Sequence, residues 1–97
     1  MTLLEFKSTT EQEHPPPEIK KELEALWLDA KGDWDAAHRT VQVMLNREAA
    51  WVHAYLHRKE SDLSNAAYWY HRCGEKMPSL TLQEEWEQIA KALLEEN

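Results

Sequence analysis

His53, His57 and Glu60 stand at i, i+4 and i+7 in the segment WVHAYLHRKE, within about 60° of one another on a helical wheel. Two imidazoles and a carboxylate on one stripe are donors that suit a divalent ion such as Zn²⁺, and His71 on the next helix can complete the set. Two features argue the other way. An HxxxH pair without the catalytic HExxH form is of low specificity. Arg58 and Lys59 also stand beside the stripe, where their charges would repel a cation. The wheel sets the stripe opposite Ala54, so the sequence favours a solvated face, with the metal set as the alternative.

Nucleophilic chemistry has weaker support. Cys73 falls at the C-terminal end of a helix, near the negative end of its dipole, which raises a thiol's pKa, and a buried inert thiol is expected. Ser61 and Ser64 lie close to His57 in sequence but are better explained as helix caps. Glu84 and Glu85 read as exposed helix charges. The run Tyr68, Trp69, Tyr70, His71, Arg72 holds the ingredients of a base-stacking platform. Successive helical residues turn by about 100°, however, so the run cannot form one flat face, and core plus rim is expected. The sequence therefore predicts no enzyme, no cofactor and no nucleic-acid partner.

Composition points the same way. The chain has 97 residues, enough for one small domain, and its formal charge of −7 repels phosphate backbones and anionic lipid. That charge is uneven. Residues 1–30 carry three basic and seven acidic groups, residues 31–76 seven and six, and residues 77–97 one and five, so the middle is where an anion can land. Gly32 and Gly74 are the only glycines, too few for a phosphate-cradling loop. Cys73 is the only cysteine, so no disulfide framework forms, and a reducing cytoplasm is the expected location. The start, MTLLEF, falls short of a signal segment or a membrane span.

The elements that must position these residues are helical. Residues 1–16 end in a proline run and are expected to form an extended or loosely docked arm, anchored by Leu3, Leu4 and Phe6, ahead of a single helical domain over 17–97. Ile19, Leu23, Leu26, Trp27 and Ala30 form one stripe of a helix that Pro17 can open and Gly32 can close. Asp33 caps a second helix with Trp34, Ala37, Val41, Met44 and Leu45 on one face. A third spans about Arg47 to Glu60, and a fourth, capped by Ser61 or Asp62, runs to Cys73 and Gly74. Thr81 and Glu84 form a capping box for a fifth, with Leu82, Trp86, Ile89 and Leu93 as its buried stripe. The fourth helix carries aromatics all round and is expected at the centre. No strand pattern is present, so the expected fold is all-α: two antiparallel hairpins and a C-terminal capping helix.

A shift of 29 residues places Ala25 on Ala54, Trp27 on Leu56, Asp33 on Asp62, Trp34 on Leu63 and Ala37 on Ala66. The small residues mark points where helices cross closely. The stretch AAWVHAYLHRKESDLSNAAYWYHRCGEKMP resembles one unit of a tetratricopeptide or Sel-like repeat. Ala54 and Ala66 stand at its small positions, Tyr70 at the aromatic, Cys73 at the next small site and Pro78 at the closing proline. His53 and His57 depart from that pattern, and the earlier copy lacks the aromatic and the proline. The runs WVHAYLHRKE and NAAYWYHR are also similar to those of a group of short proteins of uncharacterised activity. The repeat resemblance implies a protein-interaction or self-association module with Trp51, Tyr55, Arg58 and Lys59 facing a peptide-binding groove. Trp51 and Tyr55 also suit the core, which the sequence favours for them. Five tryptophans are difficult to bury in a single layer of helices, so a homodimer is expected as well.

Overall fold

The computed structural model describes residues 1–96, which form six helices and, among those residues, no strand. They are α1 (Leu3–Thr9), α2 (Lys21–Ala30), α3 (Trp34–Gln42), α4 (Arg47–Lys59), α5 (Leu63–Cys73) and α6 (Leu82–Glu95). The all-α expectation holds, but the count is six where the sequence reading gave five. The additional element lies in the segment expected to be an arm. Thr2 and Glu5 close a capping box at the start of α1, and Phe6 is fully buried with its ring stacked on Trp86 at 5.6 Å. A helix of seven residues is too short to persist alone, so it is this burial that holds it.

Local signals set the other boundaries. Asp33 and Asp62 accept from the backbone N–H groups of Ala36 and Asn65, as N-caps do. Gly74 ends α5 in the left-handed conformation, and Thr81 with Glu84 forms the expected capping box on α6. The helix expected to open at Pro17 instead begins at Lys21, leaving Ile19 as a half-buried residue of the preceding loop. α3 stops at Gln42, so Leu45 falls in the loop and is 92% exposed instead of lining the core.

The chain reversals between α2 and α3 and between α4 and α5 repeat in detail. Gly32 donates to the Asp29 carbonyl and Asp33 to that of Leu28; 29 residues later Ser61 donates to Arg58 and Asp62 to His57. Both turn residues are left-handed, with φ of 88° at Gly32 and 66° at Ser61. α2 packs on α3 and α4 on α5 through these turns, while α6 lies against α1, α2 and α4. Ala25, Ala37, Ala54 and Ala66 are all fully buried, as close helix crossings require.

The centre of the molecule is α4, not α5 as the aromatic run suggested. Every residue from Ala49 to His57 is buried, whereas α5 buries only Ala66, Tyr70 and Cys73 and exposes Tyr68. α4 is enclosed because α2, α3, α5 and α6 all pack against it. Three of the five indoles, Trp27, Trp51 and Trp86, are buried within the one chain. No helix among the described residues is long and apolar enough to cross a membrane.

Candidate metal centre

His53 and His57 are 4% and 6% exposed, so the face expected to be solvated is buried. The wheel reading fails because α4 has packed neighbours on both sides: α3 lies over the histidine stripe on one and α5 on the other. α3 brings a third imidazole, His38. Ligand-capable nitrogens of His38, His53 and His57 all lie within 4.8 Å of one another. His71, the expected completing ligand, is exposed on α5 and takes no part in this group.

Aromatic and hydrogen-bonding partners fix each ring. Trp34, one turn before His38 on α3, stacks on it at 4.9 Å and 8°, and is itself held by donating from Nε1 to the Leu56 carbonyl. Trp69 of α5 stacks on His53 at 3.9 Å and 16°. His57 Nδ1 lies 2.7 Å from Glu60 Oε1, while its Nε2 lies 3.3 Å from the Asn65 side-chain nitrogen. Carboxylate and amide together select one tautomer: Nδ1–H donates to Glu60, and the Nε2 lone pair, directed away from it, accepts from Asn65. An imidazole held by a carboxylate in this way is the usual supporting arrangement of a metal-ligating histidine. Glu60, a ligand in the sequence reading, lies outside the three-imidazole group but comes within 4.8 Å of ligand atoms of His57 and Asp62.

His38 and His53 meet through their Nε2 atoms at 3.0 Å, so one ring donates to the other. Among the described residues His53 Nδ1 has no hydrogen-bond partner, although it is buried. A buried polar atom in that state costs about 1–3 kcal/mol. Burial, followed by the proximity of His38 and His57, pushes His53 down to about 3. Burial and then His57 also lower His38, with Glu60 and Asp35 opposing. Both rings are therefore neutral at pH 7, the form that binds metals.

Arg58 and Lys59 do not oppose a cation here, because each is turned to a carboxylate elsewhere. Arg58 donates to Glu85 Oε1 at 2.8 Å and to the Leu80 carbonyl, and Lys59 donates to Asp29 Oδ1 at 3.0 Å. The same networks take up the residues expected to face a groove. Tyr55 donates to Asp29 Oδ2, and Tyr70 donates to the second oxygen of Glu85, which is 0% exposed. Burial raises both phenols, with the adjacent carboxylates adding to the effect. The four residues share no single surface. Tyr55 and Lys59 line a cavity of about 570 Å³ together with Asp29, Lys7 and Trp86. Trp51 lines a separate one of about 530 Å³ beside Glu75, Pro78 and Leu80. Cys73 is buried away from the imidazoles, its thiol pushed up by burial.

Sequence reasoning missed His38, Asn65, Trp34 and Trp69 as parts of one site. A signal existed: Trp34 belongs to the apolar face of its helix, and a residue four later shares that face. The same spacing relates Asn65 to Trp69. No protein-family model, curated protein or solved structure matches the chain.

Proposed function

We propose that this chain is a small helical protein that binds a divalent transition-metal ion through His38, His53 and His57. One observation carries the reading: three imidazoles from two helices converge, with ligand-capable nitrogens all within 4.8 Å of one another. Tetrahedral coordination at the usual zinc–nitrogen length separates ligand nitrogens by about 3.3 Å. The His38 and His53 Nε2 atoms already lie at 3.0 Å, near that spacing, and an ion takes both once the proton between them moves to the other nitrogen of its ring. Imidazole donors suit zinc, nickel, cobalt and copper.

Equilibrium dialysis of the full-length protein against Zn²⁺ and Co²⁺ tests this. The expected result is one ion per chain, with affinity falling about a hundredfold or more in His38→Ala, since even supporting partners cost ten- to a hundredfold. His38 is half-buried on an outer helix, and circular dichroism of the variant is expected to show the helical fold kept. Stoichiometric binding that His38→Ala leaves unchanged, or no binding by the wild type, removes the reading.

Self-association or partner binding is a second reading, compatible with the first. It is favoured by Val43 and Leu45, which are 76% and 92% exposed in the loop that follows the His38 helix. Paired apolar side chains on a loop suit burial against another chain. Sedimentation velocity across a concentration series is expected to show an assembly that Val43→Ser with Leu45→Ser disperses; a monomer throughout refutes self-association.

A further inference from the structure

Resting on the metal-binding reading, the geometry points to one coordination position of the ion that is filled from solution, by water or by a small monoanion that replaces it. Three arguments converge. The imidazole group supplies three nitrogens, whereas zinc-like ions take four ligands or more; Glu60 and Asp62, which form a second donor group with His57, are engaged by His57 Nδ1 and by Asn65. Glu60 does not supply the fourth, because its carboxylate accepts from Nδ1 of His57, on the side of the ring away from the lone pair. The site also reaches solvent past His38, which is only partly buried.

Charge sets the kind of ligand. Three neutral imidazoles leave both positive charges of the ion uncompensated within its ligand set, and Glu60 and Asp62 beside His57 offset part of them. A monoanion cancels the remainder in a setting too buried for water to screen it well. The surrounding segment, residues 31–76, is also the least acidic part of the chain. Asn65 provides the recognising group. Its side-chain nitrogen, which also donates to Asp62, lies 3.3 Å from His57 Nε2 and donates to the lone pair there; an ion that takes this lone pair displaces the N–H, which then faces whatever the ion holds next to His57. The exchange is simple: the anion's lone pair binds the ion as the water leaves intact, with no change of oxidation state.

Cobalt-loaded full-length protein, titrated with sodium azide and followed in the visible and near-ultraviolet, tests the inference. Saturable growth of an azide-to-cobalt band is expected, and Asn65→Ala should weaken azide binding about tenfold, the usual worth of a hydrogen bond to a charged ligand, while cobalt affinity changes far less. A second variant, Asn65→Ser, keeps a donor and should recover part of the azide affinity. Cobalt that binds but ignores azide overturns the open position. Azide binding unaffected by either Asn65 variant overturns the recognising role, and loss of cobalt from both variants makes Asn65 itself the fourth ligand, which overturns the open position too. Wild-type protein that takes up no cobalt fails earlier, at the metal-binding reading.

Discussion

The imidazoles make the metal-free protein sensitive to acid in a direction that the chemistry fixes. His53 in the fold is depressed to about 3 from an ordinary value of 6.5, so the unfolded chain takes up the proton first as pH falls. Its contribution to stability is complete above about pH 6.5 and is lost progressively from there towards pH 3. His38 shifts the same way. Urea denaturation of the metal-free protein is expected to show a lower midpoint at pH 5 than at pH 7.5, and His53→Leu should flatten that difference; an equal slope in the variant would contradict it. Of this site the sequence displayed His53, His57 and Glu60, because they lie on one helix. His38 was hidden, since its partners come from a different helix and only packing brings them together. Arg58 and Lys59 misled for the same reason: adjacency suggested repulsion, while their partners Glu85 and Asp29 are 27 and 30 residues away.

At the scale of elements, most boundaries were legible because they are set by nearest neighbours: Asp33, Asp62, Gly74 and Thr81 each act on groups within three or four residues. α1 escaped notice although Thr2 and Glu5 spell the same box as Thr81 and Glu84, because its stability comes from Phe6 against Trp86, 80 residues away. The repeated turns give a paired prediction. Gly32 and Ser61 occupy the same left-handed position, but serine there is strained by its Cβ. Ser61→Gly should raise stability by up to about 1 kcal/mol, and Gly32→Ala should lower it by about 1 kcal/mol or more. Thermal unfolding of both variants checks the pair; destabilisation by Ser61→Gly would mean that its hydroxyl, and not its backbone, sets the turn.

For the whole molecule, the question is what holds six short helices around α4. Apolar packing supplies most of the core, but two buried polar clusters tie distant parts together: Asp29 with Tyr55 and Lys59, and Glu85 with Arg58 and Tyr70. Removing one member of such a pair leaves its partner buried and charged. Arg58→Ala is therefore expected to cost about 3–5 kcal/mol, whereas Arg47→Ala, an exposed partner of Glu75, should cost under about 1 kcal/mol. Chemical denaturation of the two variants reads the contrast, and equal losses would refute the central role of Glu85. A partner lost on changing Arg58 would accordingly report a collapsed fold and not a missing grip.

Trp34 and Trp69 lie flat against His38 and His53, so two of the five indoles border the imidazoles directly. An open-shell ion such as copper(II) placed there drains the excited state of both rings, whereas closed-shell zinc leaves their emission in place. Ultraviolet fluorescence of the unlabelled chain thus becomes a built-in gauge of which ion it carries.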